Sequence, residues 1–236
     1  YIQQYDKWTG RCIKFVPASG AATRMFKSLY EAMQKLDNNE KIDWAAKAFQ
    51  PVKEFFDNLP EFAFYEQLKE TLLQKDVDIH NLKEEDYSIV LHAFLDKDGM
   101  DYGSLPKGLL LFHRYPDGVR TAFEEHLMEA ALYDKGIDNT AKIHFTVSPE
   151  HHQEFEKLYK QVRSEYESEY QVKYYVSFSE QKKSTDTIAV DIKNQPFRNP
   201  DISILFRPAG HGALLENLNE LDADVIFIKN IDNIVP

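Results

Sequence analysis

Four segments of this 236-residue sequence carry residue types and spacings that suit an anionic ligand. The first is Pro17-Ala-Ser-Gly-Ala-Ala-Thr-Arg-Met25. Small residues at Ser19, Gly20, Ala21 and Ala22 let backbone N–H groups approach a ligand. The N-terminus of the helix predicted to follow favours negative charge at that point. Arg24, placed by the spacing in the first helical turn, would reach phosphate oxygens. The same residues equally suit a tight turn that needs small side chains. The segment is not a P-loop, because Ala21 and Phe26 stand where that motif needs glycines ahead of Lys27 and Ser28. Lys27 reads as a solvated helix residue.

The second segment places Lys107 between Pro106 and Gly108, just before an apolar run. A lysine there points to the sheet edge where ligands collect, although most lysines are simply solvated. In the third, Gln181 follows a predicted strand and its amide could pair with a base edge, with hydroxyls nearby on Ser184, Thr185 and Thr187. Taken alone, this stretch reads as a polar loop. The fourth holds Gly210 and Gly212 around His211 at the mouth of a helix, and then Asp232 at the end of an apolar strand. A carboxylate there suits Mg²⁺, which is commonly held by one or two carboxylates plus ligand phosphates. An N-cap or turn aspartate is the alternative.

Other polar groupings point to no chemistry. His151 and His152 are adjacent at a helix start and diverge, and no Cys/His spacing suggests zinc. The Glu-rich runs read as solvated helix faces. No Ser–His–Asp order stands out.

The elements that position these segments follow from periodicity. Cys12–Pro17 reads as a strand. Met25, Leu29, Met33 and Leu36 recur at helical spacing. From about Ser28 to Ser104 the pattern is helical throughout, with Asp43 as an N-cap. After Lys107 strands and helices alternate: Gly108–Arg114, a helix ended by Gly136, Ala141–Ser148, a helix opened by Pro149, Gln171–Glu180, a hairpin before Pro200, Ile202–Arg207, a helix over Ala213–Leu221, and Asp224–Asn230. Repeated strand–helix units with apolar strands predict an α/β fold, a mostly parallel sheet with helices on both faces. The expected division is an α/β domain over residues 1–27 and 105–236, with an inserted helical subdomain over 28–104. In such a sheet ligands bind outside the carboxyl ends of the strands, where all four segments would lie. Phe49, Phe55, Phe56, Phe62, Phe64 and Tyr65 of the helical stretch could bind a partner protein, with packing against the α/β domain as the more ordinary use.

Composition narrows the partners. The formal net charge is −11, with 28 Lys+Arg against 39 Asp+Glu. That is a poor basis for gripping nucleic acid through its phosphates. The single cysteine, Cys12, excludes an internal disulfide and suits a reducing cytoplasm. No run reaches the ~20 apolar residues of a membrane span. The chain stops at Pro236, directly after the last strand-like run, so the α/β domain is expected to continue beyond it.

Together the four segments resemble the sugar nucleotidyltransferases. Gly20-Ala-Ala-Thr-Arg-Met25 and Pro106-Lys-Gly-Leu-Leu110 look like the two halves of that family's glycine-rich signature, here split by the helical stretch. Gln181, Gly210-His-Gly212 and Asn230-Ile-Asp-Asn233 follow in the order found in its UDP-sugar pyrophosphorylase branch. The chain also looks like a bacterial domain family described as of unknown function. The resemblance covers residues 12–27 and 104–236. Ala21 and Ala22 depart from it where glycine or another small residue is usual.

The resemblance implies a Rossmann-like, GT-A-type sheet. It implies transfer of a nucleotidyl group from a nucleoside triphosphate, a pyrimidine favoured, to a sugar 1-phosphate, with Mg²⁺ and in the cytoplasm. Arg24, Lys107 and Asp232 would be catalytic, with Asp232 also the metal ligand. Ser19, Gly20, Ala21, Ala22, Thr23, Gln181, Thr185, Gly210, His211 and Gly212 would bind the nucleotide. The alternative expectation is a nucleotide- or nucleotide-sugar-binding module without turnover, or an interaction domain acting through the helical stretch.

Overall fold

The structure is a computed structural model that describes residues 8–20, 22–136 and 138–235, with the His211 side chain outside the description. The chain divides into two compact units, Tyr1–Ser19 with His126–Asn233, and Gly20–Glu125 with Ile234–Pro236.

The first unit is built on a four-stranded parallel sheet. Its strands are β1 (Cys12–Pro17), β4 (Thr140–Val147), β5 (Lys173–Glu180) and β8 (Val225–Ile228), in spatial order β5-β4-β1-β8. Phe15 lies opposite His144, and Cys12 opposite Val225. The fold is therefore α/β around a parallel sheet flanked by helices. Alternation sorts the side chains between faces. Lys14, Phe145, Tyr174 and Phe178 share one face. Against it lie α5 (Ala122–Tyr133) and α6 (His152–Tyr170), through Leu127, whose carbonyl accepts from the Tyr174 hydroxyl, and through the Phe155–Phe178 ring contact. His144, Thr146, Ser177 and Ser179 share the other face, reached by the short helix α7 (Leu215–Asn219) through Asn217. Ile143, Phe145 and Phe155 are fully buried, each such side chain contributing roughly 1.5–3 kcal/mol. Helix α6 stops where Gln171 turns left-handed, φ 50°.

The second unit is helical apart from one hairpin. Its helices are α1 (Lys27–Asp37), α2 (Gln50–Asp57), α3 (Tyr65–Leu73) and α4 (Tyr87–Leu95). Leu29, Ala32 and Met33 bury one stripe of α1. Helix α4 buries five consecutive-turn residues, Val90, Leu91, Ala93, Phe94 and Leu95, and is the centre of the core. Phe94 packs on Phe26, Phe55, Phe64 and Tyr102. Phe55, Phe56, Phe64 and Tyr65 are thus buried inside this unit's own core.

Three local readings differ from the sequence expectation. The run Gly108–Arg114 gives β2 (Leu111–Tyr115), which pairs antiparallel with β3 (Gly118–Thr121) instead of joining the parallel sheet. The two-residue turn at Pro116-Asp117 closes this hairpin, and Gly118 holds φ 155°, a conformation that favours glycine. Helix α5 begins only at Ala122, because Thr121 and Glu124 form a capping box. Thr121 N–H and Oγ1 both donate to Glu124 Oε2, and Glu124 N–H returns to Thr121 Oγ1. It ends at Tyr133, ahead of Gly136. Finally, Ile202–Arg207 supplies only β7 (Phe206–Arg207), paired with β6 (Thr187–Ile188) in a separate ribbon. Among the described residues no helix is long and apolar enough to cross a membrane.

Candidate functional site

Parallel pairing brings the carboxyl ends of β1, β5 and β8 to one edge of the first unit's sheet. Ser19, Gln181 and Asp232 follow those three ends. Ser19 is half-buried. Gln181 Nε2 donates to Asp186 Oδ1 at 3.2 Å, and Thr185 Oγ1 donates to the Lys182 carbonyl at 2.6 Å. Both side chains therefore hold their own loop in shape. That loop is tied to α7: Lys182 pairs with Glu220, Ser184 Oγ lies 3.5 Å from Glu216 Oε2, and Asn217 Nδ2 donates to Ser179 Oγ and the Glu180 carbonyl, each at 2.8 Å. Helix α7 directly follows the Gly210–Gly212 turn. The third and fourth sequence segments thus meet, although the β6–β7 ribbon separates them in the chain. Gly210 and Gly212 are exposed with open space where a β-carbon would stand. His211 opens a short 3-10 turn.

Asp232 is exposed, on the turn Asn230–Asn233 closed by a 3.0 Å bond from Asn233 N–H to the Asn230 carbonyl. Among the described residues no group of three or more His, Cys, Asp or Glu is placed to hold a metal. A single exposed carboxylate such as Asp232 would leave the rest of a Mg²⁺ shell to phosphates and water.

In the second unit, Gly20 and Lys107 are in direct contact. Lys107 N–H donates to the Gly20 carbonyl at 3.3 Å. The first two sequence segments are joined in space although four helices lie between them in the chain. Gly20 is exposed, with nothing within 4 Å of where a β-carbon would be, so its backbone is open to approach. Ala21 lies outside the described residues. Ala22, Thr23 and Arg24 form a 3-10 turn, and α1 begins only at Lys27, so Arg24 precedes the helix and does not belong to its first turn. Thr23 and Arg24 are exposed, whereas Ala22 is fully buried in the helical core, which leaves only its backbone for a ligand. Lys107 is half-buried at the start of its own 3-10 turn.

The sequence matches over residues 1–236 the family described as Domain of unknown function (DUF4301). The chain belongs to the DUF4301 family. Comparison of this DUF4301 chain with curated proteins and with solved structures gave no match.

Sequence reasoning missed the most unusual electrostatics of this DUF4301 domain, a buried polar cluster between β1 and α5. Lys14 is fully buried. Its ammonium donates to Glu129 Oε2 at 2.8 Å and to the His126 carbonyl at 3.1 Å, and lies 5.2 Å from the Tyr133 ring centroid. Burial pulls its pKa down to about 8, against the opposing pull of Glu129. Glu129 also pairs with Lys229. Burial acts to raise its carboxyl and the two ammoniums to lower it, and the net direction is down. His126 is fully buried, and burial together with the Lys14 charge pulls it down to about 3, so the ring is neutral.

At the opposite edge of the sheet, Asp134 is 2% exposed and lines a cavity of about 350 Å³ with Cys12, Lys135 and Lys142. Neither of its oxygens makes a hydrogen bond of good geometry. Burial raises it to about 6, and the nearby Cys12 thiol offsets only part of that. The available signal was Lys14 itself, a lysine flanked by Ile13 and Phe15 in a strand expected to be covered on both faces.

Proposed function

We propose that this DUF4301 domain is a nucleotidyltransferase. It binds a nucleoside triphosphate and transfers the nucleotidyl group to a sugar 1-phosphate. A phosphate oxygen of the sugar phosphate attacks the α-phosphorus, the bond from the α-phosphorus to the bridging oxygen breaks, and pyrophosphate leaves with that electron pair. Such a transfer needs positioning and charge neutralisation more than covalent chemistry.

The observation that carries the reading is the Lys107–Gly20 contact, which reunites Gly-Ala-Ala-Thr-Arg-Met with Pro-Lys-Gly-Leu-Leu. The open backbone at Gly20 and the exposed Arg24 support phosphate binding there. On this reading Gly20–Thr23 hold the phosphates through backbone N–H groups, Arg24 stabilises the departing pyrophosphate, and Lys107 neutralises charge growing on the transferred group. For the first unit, the resemblance gives base and ribose binding to Gln181 and the Gly210–Gly212 turn, and nucleotide contacts to Ser19 and Thr185. Mg²⁺ held by Asp232 would supply further neutralisation of the α-phosphate.

The test is a thermal-shift panel of UTP, CTP, ATP, GTP and dTTP, with and without Mg²⁺. Ligand at about 100 times its dissociation constant stabilises by roughly 2.7 kcal/mol, on the order of 5–10 °C here. A shift with one pyrimidine nucleotide, reduced in Lys107→Ala and Asp232→Ala, is expected. No shift with any nucleotide would refute the reading for this chain. A shift without pyrophosphate release in the presence of sugar 1-phosphates would favour a binding module.

A further inference from the structure

The turn that carries Asp232 is held from beneath by groups far away in sequence. The His126 ring, on α5, has its Nε2 3.2 Å from the Ile231 carbonyl. A carbonyl only accepts, so Nε2 carries the proton and donates. His126 Nδ1 is buried with no hydrogen-bond partner and lies 3.7 Å from Glu129 Oε2. One turn along α5, Glu129 holds the Lys229 ammonium. The same carboxylate is fixed in place by Lys14 and by the Tyr133 hydroxyl at 3.3 Å. Lys229 N–H donates to the Phe15 carbonyl at 3.1 Å, and the Ile231 side chain is 4% exposed. Within the turn Ile231 is buried, while Asn230, Asp232 and Asn233 are exposed.

This is more than packing requires. An apolar helix face under β8 would bury Ile231 equally well. Instead a neutral imidazole and a doubly paired carboxylate, neither more than 5% exposed, are aimed at the backbone and flank of one turn. A buried polar network of this kind fixes a single geometry, because any other leaves its members unpaired.

We infer that His126, with Glu129 acting through Lys229, positions the Asn230–Asn233 turn and so fixes where the Asp232 carboxylate stands. The relevance to a metal rests on the nucleotidyltransferase reading; the pinning of the turn does not. His126 and Glu129 are positioning residues: they act on the Ile231 carbonyl and on Lys229.

The experiment exploits the geometry of the two amide side chains. In His126→Gln the side-chain amide can occupy the place of Nε2–H, and in His126→Asn it reaches only as far as Nδ1. Backbone hydrogen exchange over residues 229–233 is measured by mass spectrometry for the wild type, His126→Gln, His126→Asn and Lys229→Met. Exchange there should be close to wild type for His126→Gln. It should be about tenfold faster for His126→Asn and Lys229→Met, with β4 protection unchanged. Lys229→Met removes a partly exposed side chain and keeps the inference testable if a His126 variant does not fold. In parallel, the Mg²⁺-dependent part of the UTP thermal shift should survive in His126→Gln and shrink in His126→Asn. Equal exchange in the Gln and Asn variants, with no change in Lys229→Met, overturns the inference. The exchange split without a nucleotide shift in the wild type refutes the transferase reading and leaves the pinned turn standing.

Discussion

Asp134→Asn should stabilise this protein near neutral pH and lose about half of that advantage in mild acid. Asp134 is 2% exposed, and its carboxyl is raised from 3.8 to about 6. A carboxyl with a raised folded pKa favours the fold while protonated. It therefore withdraws no stability below the unfolded value of 3.8, progressively more between 3.8 and 6, and the full amount above 6. The difference of about 2 pH units between those two values corresponds to about 3 kcal/mol withdrawn at pH 7.5. The same relation leaves roughly half of that withdrawn at pH 5. Asparagine is neutral at both values, so the advantage of the variant should shrink by roughly 1–2 kcal/mol on acidification. For a chain of this length that is on the order of 3–5 °C in Tm. Paired thermal melts of variant and wild type at pH 5 and 7.5 read it directly, and the comparison cancels every other group that titrates alike in both. A gap that stays constant between the two pH values, or widens toward acid, refutes the argument that the buried carboxyl is ionised at a penalty.

Other outcomes follow from the same geometry. Glu129→Ala leaves the Lys14 and Lys229 ammoniums without their shared partner. It should destabilise by about 3–5 kcal/mol in urea unfolding, and a loss under 1 kcal/mol would show the pairing to be incidental. His92 bonds Asp96 Oδ2 at 2.6 Å and Asp37 Oδ1 at 3.1 Å, and those carboxylates raise its pKa. Its contribution is present below pH 6.5 and is lost as pH rises through the raised folded value, a step that His92→Gln should abolish. Phe94→Ala removes the ring on which four others pack and should destabilise by about 3–5 kcal/mol. If the transferase reading holds, Arg24→Ala should lower kcat by about 10²–10³-fold in a pyrophosphate-release assay, and an unchanged kcat would remove Arg24 from the chemistry.

The elements that sequence made legible are those whose periodicity is strong. Strand β1, helices α1 and α6, and the strands β4, β5 and β8 fall where alternation and helical spacing predict. The hairpin β2–β3 did not, because an apolar run before a turn looks the same whether it enters a parallel sheet or folds back on itself. Its capping box at Thr121 and Glu124 was readable in the Thr-x-x-Glu spacing and marks the true start of α5. The site was legible as residue types and order, and much less as geometry. Gln181 and Thr185 looked available for a ligand, yet their polar atoms first serve the loop that carries them. The pinning of the Asp232 turn was invisible, since His126 and Ile231 are separated by more than a hundred residues and nothing local links them.

That the Gly20 and Lys107 segments are in contact with a helical stretch between them has a physical explanation in the ends of that stretch. The chain leaves at Gly20 and returns at Lys107, and these two residues share a backbone hydrogen bond. A segment whose ends meet imposes almost no geometric demand on the loops it leaves, which is why compact insertions are tolerated at such points. The stretch can also hold itself in shape, since its core is closed by its own rings around Phe94. Yet it is not inert toward the loop. Ala22 and Phe26, on either side of Thr23 and Arg24, are both buried in that same core. The helical core therefore clamps the backbone on each side of the two exposed residues. Loosening it should disturb the Thr23–Arg24 turn before it disturbs the parallel sheet. In Phe94→Ala, hydrogen exchange over residues 22–26 should rise while protection of β4 and β5 is retained. Equal loosening of both regions would show that the helical core supports the whole chain and not this loop in particular.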